Sequence, residues 1–197
     1  MPLGAFKAAL MGTAGVSTGD VVLLSTQTAS GASTVSFTSG IDSTYGEYIF
    51  RFYNLNPTAT GDGPEVSFNG SSDSGSNYNV TKTTTIFLAE NTEAAGSGAL
   101  SYRTAIDLSQ ATGFQALAQY AGDGSDEAGA GELHLFNPSS TTYMKHFYST
   151  YQMTNSGSSS DINYMSGYFN TSNAIDAIQF KMSSGNFDGK IKMWGVK

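Results

Sequence analysis

The sequence of 197 residues contains no cysteine. A disulfide framework, a cysteine-based zinc site and thiol catalysis are therefore excluded. Histidine is almost as scarce, since His134 and His146 are the only two, and their separation rules out a metal-binding pair at helical spacing. With only 4 prolines, no proline-rich linker divides the chain, and its length fits one domain.

Positive charge is also in short supply. Lysine and arginine together number 9 against 16 aspartates and glutamates, which gives a net charge of −7. A nucleic-acid interface needs a dense basic patch, so nucleic acid is not expected as a partner. No run approaches the roughly 18 consecutive apolar residues that a membrane helix needs, so no membrane partner is expected either.

The first residues are apolar but do not form a long hydrophobic run. Lys7 interrupts them, and no basic region precedes them as it would in a signal peptide. We therefore expect residues 1–18 to form a short arm or helix that docks on its own domain or on a neighbour. The candidate assembly anchor within this arm comprises Leu3, Phe6, Leu10 and Met11.

Aromatic residues and short alternating runs, by contrast, are plentiful. The 11 tyrosines and 12 phenylalanines argue for a folded chain, because disordered chains are poor in aromatics. Apolar and polar residues alternate in runs separated by clusters of Gly, Ser, Asn and Asp, which is typical of strands and turns. About ten strands are predicted, at residues 21–24, 34–37, 47–53, 65–68, 83–88, 132–135, 144–153, 164–169, 178–182 and 190–196. This pattern favours an all-β sandwich or barrel over residues 19–197.

The last third of the chain is predicted to form a closing hairpin. Residues 175–182 lead into a Ser-Ser-Gly-Asn turn and then into the final run, in which Ile191 and Met193 would face inward. The single tryptophan, Trp194, lies in this final strand, where both core packing and sugar stacking are open to it.

Three tyrosines cluster before this region. Alternation places Tyr143 and Tyr151 on one strand face with Phe147, and that face belongs either to the core or to a subunit interface. The candidate interface or glycan-binding aromatics are therefore Tyr143, Tyr151 and Trp194.

The motifs of common enzyme chemistries are missing. There is no Gly-x-Ser-x-Gly elbow, no phosphate-binding loop followed by a helix, and no pair of carboxylates at the i, i+2 spacing that would place them on one strand face for glycoside hydrolysis. A non-enzymatic protein without cofactor or metal is expected, with a hydrolase or lyase as the weaker alternative. The acidic loop of Asp123, Asp126 and Glu127 is interpreted as solvated, and a calcium site there remains open.

Three stretches resemble β-sandwich proteins of tailed bacteriophages, especially those of marine phages. They are YGEYIFRFYNLNP at 45–57 with EVSFNG at 65–70 and DSGSNY at 73–78, GELHLFNPSSTTYMK at 131–145, and IDAIQFKMSSGNFDGKIKMWGV at 175–196. Many such proteins end in Tyr-Gly where this chain has Trp194 and Gly195.

The resemblance implies a single jelly-roll-type β-sandwich of about 8–10 antiparallel strands, preceded by the short N-terminal arm. It implies a non-enzymatic structural protein exposed on the phage particle, either a head decoration protein or a tail or appendage subunit. Expected partners are further copies of the chain in a homotrimer and other virion proteins. The alternative is a carbohydrate-binding or host-receptor-binding module that recognises a host surface glycan.

Overall fold

The computed structural model describes residues 20–58, 63–94 and 98–197. The candidate anchor residues Leu3, Phe6, Leu10 and Met11 lie outside these ranges, so the expected N-terminal arm is not described. The described residues contain no helix. None of them accordingly belongs to a helix with the length and apolar character that crossing a bilayer requires.

Twelve strands build the described part of the chain. In order they are β1 Val21–Ala32, β2 Thr34–Phe37, β3 Glu47–Pro57, β4 Val66–Ser71, β5 Lys82–Thr92, β6 Gly98–Tyr102, β7 Gln115–Ala118, β8 Gly129–Phe136, β9 Lys145–Asn155, β10 Ser159–Phe169, β11 Ala177–Met182 and β12 Phe187–Val196. Every strand pair is antiparallel. The all-β prediction is therefore confirmed for these residues.

The strands form two sheets. Eight strands follow the order β1-β12-β3-β8-β9-β10-β5-β6, and four follow the order β2-β11-β4-β7. The two sheets pack face to face in a β-sandwich-like arrangement, because each alternating strand buries one row of apolar side chains.

Aromatic rings from both sheets meet in the core. Phe180 of the smaller sheet lies 5.4 Å from Phe50 and 5.2 Å from Phe52, measured between ring centroids. Phe68 of the smaller sheet lies 5.3 Å from Phe147 of β9 in an edge-to-face contact. Such tilted and edge-to-face pairs add to the stability gained from burial. The core thus lies between the sheets.

Two strands bury alternate side chains, and the predicted inward position of Ile191 and Met193 is confirmed. In β3, the alternate residues Tyr48, Phe50 and Phe52 are buried. In β12, Ile191 and Met193 are buried, at 0% and 1% exposure.

The predicted closing hairpin is wrong. The Ser-Ser-Gly-Asn turn exists, with Gly185 at a φ of 69°, and it joins β11 to β12. However, β11 pairs with β2 and β4, whereas β12 pairs with β1 and β3. The turn therefore carries the chain from one sheet to the other, and the two strands do not pair with each other.

Candidate functional site

The outward surface of the eight-stranded sheet carries a broad group of rings. It is called here the outer aromatic face and consists of Phe87, Tyr102, Phe136, Tyr148 and Tyr164. Along β5, β8, β9 and β10 these residues alternate with buried residues of the core, whereas Tyr102 lies on β6, which has no buried residue. Soluble domains seldom expose contiguous apolar patches without a use for them. This face is therefore the candidate functional site.

Strand register brings the first half of the face together. His134 of β8 lies directly opposite Tyr148 of β9, and their rings stack with centroids 4.4 Å apart and planes inclined by 10°. Phe136 follows on β8, with its ring 5.8 Å from that of Tyr148. The stack covers His134, which is 8% exposed, while Tyr148 remains 40% exposed. His134 therefore lies on the outward face but beneath this cover.

Two carboxylates hold the histidine from the sides. Its Nδ1 is hydrogen-bonded to Oε1 of Glu47 at 2.5 Å. Its Nε2 lies 3.1 Å from Oε1 of Glu132 but makes no hydrogen bond there. Arg51 in turn contacts the other oxygen of Glu132, with Nε 3.3 Å from Oε2. Since a carboxylate accepts, Nδ1 is the donor toward Glu47. The imidazole fills the space between Glu47 and Glu132, which leaves no room for a substrate between these two carboxylates.

The same carboxylates act on the neighbouring tyrosine. Burial, followed by the negative charges of Glu47 and Glu132, raises the pKa of the Tyr148 hydroxyl above its usual value. The hydroxyl therefore keeps its proton at neutral pH and can both donate and accept a hydrogen bond.

A second stack stands further along the sheet. Tyr164 of β10 lies opposite Phe87 of β5, with ring centroids 5.0 Å apart and planes inclined by 18°. Tyr102 on the edge strand β6 lies opposite Phe87, and its hydroxyl donates to Oδ2 of Asp107 at 2.6 Å. The outer aromatic face thus continues to the edge of the sheet.

A groove opens beside the first stack, because the residues next to Tyr148 are small. Ser166 of β10 is the direct neighbour of Tyr148, and Thr85 of β5 is the direct neighbour of Ser166. One face of the Tyr148 ring is stacked on His134, so its other face borders this gap. We call this gap the Tyr148 groove; it has a volume of about 430 Å³, and its lining also includes Thr83, Phe136, His146 and Tyr168. A smaller depression of about 200 Å³ continues from it to Tyr164 and Phe87.

The three aromatic residues singled out from the sequence lie elsewhere. Tyr151 is fully buried on the inward side of β9, with its ring 5.8 Å from that of Phe52. It is a core residue, so its assignment to an interface or glycan site is corrected. Tyr143 lies in the connection before β9 and is 75% exposed, so it does not share the face of Phe147 and Tyr151.

Trp194 lies on the same outward surface as the groove but several strands away. The register places it between Leu23 of β1 and Ile49 of β3, and Ile49 in turn lies opposite His134. Trp194 is half-buried, and its Nε1 is buried without a hydrogen-bond partner among the described residues. Trp194 therefore belongs to a row of outward-facing side chains that crosses neighbouring strands from Leu23 to His134, and His134 is part of the first stack.

Sequence reasoning missed Tyr148 as a site residue. The available signal was the alternation of His146, Tyr148 and Thr150 on the side of β9 opposite to Phe147. That alternation identifies an outward row but not its neighbours on β8 and β10, which come from other parts of the chain.

The acidic loop is held by hydrogen bonds within the loop and from the Asn56 side chain. Oε2 of Glu127 accepts a hydrogen bond from the backbone N–H of Gly124 at 2.8 Å. The Asn56 side chain donates to the backbone carbonyls of Gly124 and Glu127, at 2.9 and 2.5 Å. Across residues 20–58, 63–94 and 98–197, no group of three or more His, Cys, Asp or Glu side chains is placed to hold a metal ion.

The chain matches no protein-family model, and no curated protein or solved structure is significantly similar to it. No family therefore assigns roles to the residues of the outer aromatic face, and their roles follow from geometry and chemistry.

Proposed function

We propose that the chain is a non-catalytic structural protein of a bacteriophage particle, exposed on the surface as a head decoration or a tail or appendage subunit, and built on a jelly roll. The observation that carries the proposal is the nested pairing of its strands. Two further features support it: the position of the phage-like stretches and the arrangement of charged groups on the outer sheet surface.

The nested pairing involves eight of the strands. β1 pairs with β12, β2 with β11, β3 with β8, and β4 with β7. Among these eight strands, the first pairs with the last, the second with the last but one, and so on inward. This is the pairing of one long hairpin that is folded over into two sheets. This pairing supports a jelly roll, a fold that combines two Greek keys in eight strands. In this interpretation β5, β6, β9 and β10 are additions that widen one sheet and carry most of the outer aromatic face.

The stretches that resemble phage proteins are neighbours in space. They cover β3 and β4, then β8, and finally β11 and β12. Of these, β12, β3 and β8 are consecutive in the larger sheet, and β11 and β4 are adjacent in the smaller one. The resemblance therefore concerns one connected part of the fold, as expected for a shared scaffold.

The arrangement of charged groups favours binding over catalysis. Glycoside hydrolysis needs two carboxyl groups about 5–10 Å apart with the sugar between them. Glu47 and Glu132 converge, but His134 occupies the space between them. Around Tyr148, the outer surface offers a partner rings and hydroxyl groups.

Mass spectrometry of phage particles tests the role. Particles are purified on a density gradient from cultures in which the gene for this chain is expressed, and peptides of the chain are quantified against those of the major capsid protein. A fixed ratio of copies per particle, retained after washing in high salt, supports the proposal. Recovery of the chain only in the soluble fraction of the lysate contradicts it.

A further inference from the structure

We infer that the Tyr148 groove is a binding site for a neutral sugar ring of a glycan. This goes beyond the proposed structural role, because the groove has the same chemistry wherever the protein resides. Three observations lead to it: an aromatic ring with one free face, hydroxyl groups around that face, and the sign of the nearby charge.

The free ring face supplies the apolar contact. Tyr148 stacks on His134 on one side only, and on the other side its strand neighbour is the small Ser166. A pyranose ring has an apolar face of C–H groups that can lie flat against an aromatic ring. Because His134 is buried and its Nδ1 is hydrogen-bonded to Glu47, it gives the Tyr148 ring a fixed surface to stack on. A preorganised ring loses little conformational entropy when a ligand stacks on it.

The hydroxyl groups supply the polar contacts. Thr83, Thr85 and Ser166 line the groove beside Tyr148, together with the exposed imidazole of His146. Hydroxyl and imidazole groups both donate and accept hydrogen bonds, which is what the hydroxyl groups of a sugar require. A volume of about 430 Å³ lies in the range of about 300–1,000 Å³ that is typical of small-molecule sites.

The charge around the groove selects against anionic ligands. No lysine or arginine is among the described residues that line the groove or the adjoining depression. The nearest fixed charges on the Tyr148 side are the carboxylates of Glu47 and Glu132. Phosphate groups and acidic sugars would be repelled, and aromatic stacking without a basic groove does not suit a single-stranded nucleic acid. A neutral, polyhydroxylated ligand fits all three observations.

The test uses an array of immobilised neutral and acidic oligosaccharides, probed with the labelled full-length protein. We expect retention on neutral glycans, and a loss of affinity of at least tenfold for Tyr148→Ala when the retained oligosaccharide is titrated by calorimetry. Tyr148→Phe keeps the stacking ring and should stay within a few-fold of the wild type. The matched control is Tyr53→Ala, which removes an equally exposed tyrosine outside the groove and should change nothing.

A second variant tests whether the loss of binding in Tyr148→Ala is due to misfolding. Ser166→Tyr fills the groove while leaving the Tyr148–His134 stack in place, and it should also abolish retention. The inference is overturned if no glycan is retained, or if retention is the same in Tyr148→Ala and Ser166→Tyr as in the wild type. It is equally overturned if Tyr148→Ala lowers the molar mass in solution, since the face would then be a contact between subunits. Because none of these readouts involves phage particles, the result is independent of the test of the structural role.

Discussion

Lys82 is a lysine whose whole side chain is buried. It is 0% exposed, its Nζ donates to the carbonyl of Gly113 at 2.6 Å, and it lies 5.8 Å from the centroid of the Phe169 ring. Burial lowers the pKa of Lys82 to about 7, because a charged ammonium group loses its hydration in the protein interior. At neutral pH, the burial of Lys82 therefore lowers the free energy of unfolding.

Replacing Lys82 by methionine should stabilise the protein at pH 7 by roughly 1–3 kcal/mol, since an apolar side chain of similar volume avoids this cost. Between the folded pKa of about 7 and the unfolded value of 10.5, the unfolded state binds more protons. The wild type should therefore gain stability as the pH rises through this window, and the advantage of Lys82→Met should shrink. Urea unfolding at pH 7.0 and 9.5 measures this difference.

The matched control for Lys82→Met is Lys190→Met, which removes an exposed lysine from β12. Its effect on the free energy of unfolding should be small and should not change between the two pH values. An advantage of Lys82→Met that stayed constant with pH would show that the buried amine is not titrating in this range.

Two buried tyrosines differ in how their hydroxyl groups are satisfied. Tyr48 and Tyr151 are both 0% exposed. The Tyr48 hydroxyl accepts from the Asp42 N–H at 2.8 Å and donates to the Asp42 carbonyl at 3.0 Å, whereas the Tyr151 hydroxyl has no partner among the described residues. Burial without a partner costs free energy, and burial also raises the pKa of the Tyr151 phenol.

Tyr151→Phe should therefore be neutral or stabilising by up to about 1 kcal/mol, while Tyr48→Phe should destabilise by about 1–2 kcal/mol. Each variant removes a single oxygen from a fully buried ring, so the two serve as controls for each other. Thermal and urea unfolding of both proteins measures the difference. Equal losses in the two variants would mean that the Tyr151 hydroxyl is bonded after all.

At the scale of single elements, alternation predicts strands well where the side chains are large. β3 follows from the alternate rings of Tyr48, Phe50 and Phe52, and β12 from Ile191 and Met193. β6 and β7 were not predicted. Gln115–Ala118 of β7 contains no β-branched or aromatic residue, yet all four residues are buried because β7 is paired with β4 at the edge of the smaller sheet. Tertiary position, not local propensity, makes β7 a strand.

The candidate site could be predicted only in part for the same reason. The outward position of Tyr148 follows from the pattern of β9, but its contacts depend on which strands lie beside it. Tyr164 and Phe87 are distant in sequence and meet only because β10 pairs with β5. The closing hairpin failed similarly, since a turn signal fixes where the chain reverses and not which sheet the next strand joins.

The pairing of β8 with β9 depends on a glycine. A Cβ added at Gly131 would lie 2.2 Å from the Thr150 carbonyl oxygen and 2.8 Å from the Tyr151 Cα, both in the backbone of β9. Gly131→Ala should therefore force the two strands apart and cost at least about 2 kcal/mol.

Gly113→Ala is the control for Gly131→Ala, because no atom lies within 4 Å of a Cβ added there. Urea unfolding of both variants should show a large loss for the first and little change for the second. Hydrogen exchange should locate the loss in β8 and β9. If Gly131→Ala unfolded like the wild type, the close approach of the two strands would be disproved.

At the scale of the whole molecule, the sheets end in strands that expose apolar residues. Val21 and Leu23 on β1 are 51% and 44% exposed, and Leu100 on β6 is 74% exposed. β1 and β6 are the two edges of the larger sheet. An exposed edge with apolar side chains is suited to contact another chain. A ring of subunits uses two different contact faces on each copy, and the two edges of this sheet provide two such faces.

The homotrimer that the resemblance to phage proteins implies is tested by light scattering during size-exclusion chromatography. We expect a molar mass near three times the chain mass of 20.7 kDa, and a loss of the trimer when residues 1–18 are removed if they act as an anchor. Because each copy carries a net charge of −7, free copies repel each other, and this repulsion is screened by salt. Raising the salt concentration from 0.05 to about 0.5 M should therefore strengthen the trimer if its contacts are mainly apolar. A monomer at every salt concentration, with and without residues 1–18, would rule out a trimer that forms by itself and leave assembly to the particle.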